Sequence, residues 1–451
     1  MRDEKSLSTQ FWRYLWAFVL VALSSNLGSV VDGIIVGNLI CADGVSAINL
    51  SRPLLQLMYT LSLLLAAGAG MLAAYALGQK NVAQARNIFT QSMLASLVVG
   101  VLFMVIGFVA PEMVTRILCD EPQLFHMTNE YSRVVLLGGP VFMLSWGLAT
   151  MVGVDGSPRL VSVSVVIVNV VNLLLDLFFI KVLGWGIASS STATVIGNIA
   201  GIVVLLWHFR SSSAQLRLSL SRQLPSLTGK GWGRGLPLST LKNILSQGAP
   251  LAIASVCLTL MIFSANSIVL STLGTTGIFI LSVGFNLLTV YDLFLSGAVE
   301  TLQSLGAVQV GEGNDEGLKL VFRKSFLFVT VCVVVTCAYV WLFPETIAAL
   351  FGAEDAAVIA ECNHAMRIFA FSFIPFCYIY SIMIVYKLYG HDRMALFISF
   401  AMSLTVIPVL WLVSKLMPDL LWYSYLIAYV IEIIAIVVVH KVTHAKFELK
   451  R

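Results

Sequence analysis

Asn169-Val-Val-Asn-Leu-Leu-Leu-Asp176 is the stretch that decides how this chain is read. Successive residues of a helix turn by about 100°, so Asn169, Asn172 and Asp176 fall on one face as a polar stripe. The residues around them, from Val161 to Ile180, are mostly Val, Leu, Ile and Phe. Crossing a bilayer takes roughly 20 apolar residues at 1.5 Å each, and this run is long enough. A carboxylate there must face protein or a wet cavity. It marks an ion or substrate path unless it only caps or packs.

Composition agrees with a membrane setting. The 451 residues are 59% hydrophobic and 11% charged, where a soluble domain carries about 25% charged residues. The apolar run from Phe11 to Ile40 is too long for a signal-peptide core and reads as a first span. The seven Cys include no Cys-x-x-Cys pair, so they imply neither a disulfide framework nor a metal site.

Apolar stretches of spanning length fall at about 14–40, 48–77, 88–110, 127–152, 160–181, 186–208, 246–272, 278–308, 320–343, 358–387, 393–415 and 420–441. They predict an all-α polytopic protein with twelve spans. With the N-terminus inside, most Lys and Arg fall on inner segments. Arg52, Arg116, Arg133, Lys181, Arg367 and Lys415 remain on the outer side or at outer helix ends. Both termini are then cytoplasmic in a multi-pass plasma (inner) membrane protein. Residues 210–245 are rich in Ser, Gly, Pro and Arg. They read as a basic linker lying along anionic membrane lipid rather than a nucleic-acid site.

The two sides of that linker repeat each other. Gly78, Asn81, Arg86, Phe89 and Ser92 align with Gly311, Asn314, Lys319, Phe322 and Ser325, and Pro111-Glu112 with Pro344-Glu345, always 233 residues apart. Gly156 and Arg159 align with Gly390 and Arg393 at 234. Six spans per half make the repeats parallel, giving an N-terminal lobe at 1–209, the linker, and a C-terminal lobe at 246–451. Transporters of this construction bind substrate between the halves and rock one against the other.

Five acids lie in spans: Asp32, Asp176, Asp292, Glu300 and Glu432. Ser25, Ser29 and Asp32 share a face of span 1, followed by Gly33 and Gly37, which permit close helix approach. Spans 1 and 5 both run outward and place Asp32 and Asp176 at similar depth. Span 6 offers Ser190, Thr194 and Asn198 on one face. Such a carboxylate pair can take up a proton, or hold Na⁺ with amide and hydroxyl oxygens. Equally, a static polar cluster would hold spans 1, 5 and 6 together. A pair sharing one proton puts H⁺ ahead of Na⁺. Asp292 and Glu300 would attract an organic cation in a central cavity, with Tyr291 and Phe285 offering π faces. One of the two acids could instead only bridge helices. Glu432 reads as interfacial, near the inner end of span 12. No phosphate-binding Gly-x-x-x-x-Gly-Lys-Ser/Thr loop, His pair at metal spacing or nucleophile motif is present, so an enzyme is not expected.

Val31-Asp-Gly-Ile-Ile-Val-Gly37, Gly68-Ala-Gly70 before Leu77-Gly-Gln79, Asp155-Gly-Ser-Pro158, Asn172-Leu-Leu-Leu-Asp176 and Gly184 to Thr194 resemble, in that order, the multidrug and toxic compound extrusion (MATE) transporters. The resemblance implies two six-helix lobes around a central cavity and export driven by H⁺ or Na⁺. It carries cation coupling to Asp32, Asn172, Asp176 and Thr194, and less closely to Tyr131, and substrate contact to Glu300. Span 7 has no Glu and span 10 no Asp, unlike members coupled in the C lobe, which argues for the N lobe here. Leu177 stands where many relatives have Pro, which puts bending of that helix in doubt. The implied function is export of amphipathic, often cationic organic compounds by a monomer. A lipid-linked precursor flippase of the same superfamily would want a cationic groove, for which the spans offer no inner-cavity Lys or Arg. A non-transport scaffold would want a soluble domain.

Overall fold

The computed structural model describes residues 2–211, 214–218 and 238–443. In chain order its α-helices are α1 (Arg2–Leu39), α2 (Ala42–Gly78), α3 (Val82–Val109), α4 (Pro111–Leu118), α5 (Pro122–Leu137), α6 (Gly139–Val154), α7 (Pro158–Leu177) and α8 (Ala188–Leu206). The second half has α9 (Leu238–Gly311), α10 (Asp315–Leu342), α11 (Pro344–Leu350), α12 (Ala356–Leu388), α13 (Asp392–Leu404), α14 (Val406–Leu416) and α15 (Ser424–Thr443). This is an all-α polytopic membrane protein. Among the described residues nine helices are long and apolar enough to cross a membrane, ten with α5 and α6 as one span bent by 55°. The 60-residue run Leu251–Val310 breaks at Gly274, whose φ of 66° suits glycine, and so holds two. With the 38-residue α1 the spans number twelve.

The repeat extends to capping and packing. Asn81 and Asn314 cap α3 and α10, each side chain accepting from the backbone N–H three residues on. Ser92 Oγ donates to the Leu65 carbonyl, and 233 residues later Ser325 Oγ donates to that of Ala298. Pro111 and Pro344 each open a short helix, which the spanning-length pattern alone does not show. Val98 and Leu102 of α3 and their equivalents Val331 and Val335 of α10 are exposed, as lipid-facing side chains would be.

Packing divides the chain differently from the sequence repeat. One unit is residues 50–259 and the other is residues 1–49 with 260–451. Each holds most of five spans of one half together with the first span, or much of it, of the other half. In the 50–259 unit a Cβ on Gly68 would strike the backbone of Ile244, and one on Gly248 that of Leu64, so α2 and α9 meet backbone to backbone. Thr60 and Ser255 share a hydrogen bond of 2.6 Å across the same contact. In the other unit α1 lies on α9 and α11. A Cβ on Gly37 would strike the Phe351 carbonyl, one on Gly297 would strike Val19, and Asn38 Nδ2 donates to the Leu350 carbonyl at 2.6 Å.

The expected linker is shorter than 210–245, because α9 already begins at Leu238. Its start is fastened to α6 and α3 by hydrogen bonds. Asp155, at the end of α6, accepts from the backbone N–H of Gln215 and Leu216 at 3.0 Å each, and pairs with His208 Nε2 at 2.8 Å. Arg86 Nε donates to the Gln215 carbonyl at 2.7 Å, and Leu216 is 1% exposed. Residues 219–237 lie outside the described residues.

Candidate functional site: a polar cluster between α7 and α8

In α7 the apolar positions Val163, Val166, Val170, Leu174 and Leu177 are exposed, while Ser164, Asn172 and Asp176 are buried on the opposite face. The reason is energetic. A carboxylate facing lipid is costly, up to about 2.5–3.5 kcal/mol at the centre of a span, so the helix turns that face inward. Asp176 is 0% exposed and Asn172 4%.

The partner helix is α8. Gly197 and Gly201 form a Gly-x-x-x-Gly stripe against α7. A Cβ on Gly197 would lie 2.8 Å from the Val168 carbonyl and 3.4 Å from the Asn172 Cβ. At that close range Asn172 Nδ2 donates to Thr194 Oγ1 at 3.0 Å. Thr194 Oγ1 donates to the Ser190 carbonyl at 3.0 Å, and Asn198 Nδ2 to the Thr194 carbonyl at 2.9 Å. Just past Asp176 the helix widens into a π-helical turn, Phe178–Val182. The end of α7, the fifth span, is therefore distorted with Leu177 in place, and such turns recur at functional sites.

Four of the five expected coupling residues belong to the 50–259 unit. Asn172 and Thr194 meet between α7 and α8, with Asp176 buried one turn further along α7. Tyr131 is buried on α5, and Arg52 of α2 lies close enough to interact with it electrostatically. Arg52, expected on the outer side or at an outer helix end, is half-buried within α2. The fifth, Asp32, is half-buried on α1 in the other unit, where a Cβ on its neighbour Gly33 would meet Asn286 and Phe351. The side chains of Ser25 and Ser29 lie outside the described residues. Asn266, the repeat equivalent of Asp32, exchanges hydrogen bonds of 2.9 and 3.0 Å with Asn49.

Asp292 and Glu300 lie on α9 in the unit of 260–451. Asp292 is half-buried and accepts from Ser296, while Glu300 is exposed. Tyr380 of α12 lies within electrostatic reach of both; nothing in the apolar pattern of α12 singles it out. Tyr291 and Phe285 do not offer open faces. Both are 4% exposed, and the Tyr291 ring sits 4.3 Å from that of Phe373 with its hydroxyl on Cys337. Glu432 lies midway along α15 and is buried against protein. It is 1% exposed, and neither carboxylate oxygen has a hydrogen-bond partner among the described residues. Its spacing from Tyr425 and Tyr429 on one face of α15 was the signal that could have shown this.

Twelve spans in two parallel repeats, with acids and amides buried inside them, define a polytopic membrane transporter. The MatE family model matches residues 17–178 and 250–412, one block in each half, and the chain belongs to that family, the MATE transporters, which are not enzymes. Two bacterial relatives are similar in sequence. The multidrug export protein MepA of Staphylococcus haemolyticus is 22% identical over 95% of this chain and 93% of its own length. The probable multidrug resistance protein YoeA of Bacillus subtilis is 24% identical over 48% of each. A multidrug resistance MATE family transporter of the MOP superfamily, solved in an inward-facing conformation, superposes with a TM-score of 0.78 at 18% identity, over 94% of this chain and 99% of that one.

Proposed function

We propose that the protein exports amphipathic, often cationic organic compounds from the cell by antiport with H⁺ or Na⁺. The observation that carries this is the Asn172–Thr194 hydrogen bond beside the fully buried Asp176, an ion-path chemistry inside an apolar span of a MATE-family chain. Relatives named for multidrug export support the substrate class. In this reading Asp176, with Asn172, Thr194, Tyr131 and Asp32, takes up the coupling cation. Asp292 and Glu300 meet the organic substrate, and the two halves alternate in access. The protein works as a monomer in the plasma membrane with both termini cytoplasmic.

The cationic groove expected of a lipid-linked precursor flippase would need more than Arg52, the one basic residue of α2. Efflux of a panel of fluorescent dyes from cells carrying the protein tests the proposal. Cells should retain less of the cationic dyes than empty-vector controls. Glu300→Gln should weaken that efflux more for cationic than for neutral compounds. Retention equal to the control across the panel would refute export. Equal loss of cationic and neutral dyes in Glu300→Gln would refute its substrate role.

A further inference from the structure

At one end of the 260–451 unit, the ends of α9, α12 and α15 and the start of α10 enclose a pocket of about 410 Å³. Its walls are apolar: Leu302 from α9, Phe322 from α10, Val385 from α12 and Ile436 from α15. Its charged lining residues, Lys319 and Lys441, are both cationic. Both are exposed at the pocket, and His440 also lines it, with its Nδ1 2.8 Å from the Tyr386 hydroxyl. Among the described residues no Asp or Glu lines it. Tyr389, just past the end of α12, completes the lining. Burial, with Asp315 nearby, holds the Tyr389 phenol above its ordinary pKa, so it stays a neutral hydrogen-bond donor.

An apolar cleft between membrane helices, with lysines and a tyrosine where the helices end, matches an acyl chain below and a phosphate above. We infer that this pocket is a binding site for an anionic glycerophospholipid. One acyl chain lies against Leu302, Phe322, Val385 and Ile436, and the headgroup phosphate lies between Lys319 and Lys441. The amphipathic cations proposed as substrates are disfavoured here, because both lysines would repel them. With the termini cytoplasmic, as proposed above, the lipid comes from the inner leaflet; the site itself does not depend on that orientation or on the transported compound.

The test is lipid binding to the purified full-length protein in detergent, by native mass spectrometry and thermal shift. Phosphatidylglycerol and phosphatidylcholine of the same acyl composition would be compared. Each lysine near a headgroup contributes about 1 kcal/mol, about fivefold, so phosphatidylglycerol should be held about 30-fold more tightly. Lys319→Gln and Lys441→Gln should each remove about fivefold of that preference, and the double variant nearly all of it. Val437 of α15 also lines the pocket, and Val437→Trp, which fills it, should weaken both lipids and leave the preference. Equal binding of the two lipids by the wild type, or an undiminished preference in the double variant, would overturn the inference. So would inorganic phosphate that stabilises the protein as well as the lipid does, or lipid binding untouched by Val437→Trp.

Discussion

Between Asn172 and Thr194 one 3.0 Å hydrogen bond joins α7 to α8 inside the membrane, and the rest of the cluster is built around it. Thr194→Val keeps the shape and removes the hydroxyl, leaving the Asn172 amide without that partner. Interhelical hydrogen bonds in membranes contribute about 0.6 kcal/mol on average and up to about 1.7. The thermal midpoint of the purified variant should fall accordingly, and an unchanged midpoint would show that the bond stabilises nothing. These residues were legible in the sequence because polar side chains at helical spacing in an apolar run have few alternatives to facing inward. The burial of Glu432 was not, because it follows from how α15 packs on α12, which a window of local sequence does not contain. The repeat also exposes a local conflict. Lys80 adopts a φ of 60° where its equivalent in the second half is Gly313, with a φ of 66°. Aligned sequences show the substitution but not the left-handed backbone that a lysine adopts at a cost of about 1–2 kcal/mol.

Among the elements, α3 and α10 show what sequence conveys well. Their boundaries lie 233 residues apart at both ends, as the Asn caps and the following Pro-Glu pairs require. The linker shows the opposite. Its Ser, Gly and Arg content says little about a tether made of two backbone N–H groups on a carboxylate 60 residues earlier. Asp155, with the side chain 1% exposed, holds Gln215, Leu216 and His208 together. Asp155→Ala should therefore free the start of the linker. Limited trypsinolysis after Arg217, a residue already exposed, should run at least about tenfold faster in the variant, since losing charge-assisted hydrogen bonds costs roughly 1.5–3 kcal/mol. Cleavage at the wild-type rate would mean that the tether is held elsewhere.

For the whole molecule, twelve spans, parallel halves and the family followed from hydropathy and the repeat. The exchange of first spans between the packing units did not. It depends on backbone contacts at Gly68, Gly248, Gly37 and Gly297, and the sequence marks these glycines without saying which helix each one meets. The central claim is that the buried carboxylate of α7 loads the coupling cation. The most direct measurement is export by Asp176→Asn in proteoliposomes under an imposed pH gradient and, separately, a Na⁺ gradient, with dye binding measured in parallel. Asparagine keeps the shape and hydrogen bonding of aspartate and removes the charge. The wild type should respond to one of the two gradients, H⁺ ahead of Na⁺, because one carboxylate suffices to bind a proton while Na⁺ demands several more oxygen ligands. Asp176→Asn should bind dye as the wild type does and export none under either gradient; gradient-driven export at the wild-type rate would contradict the account.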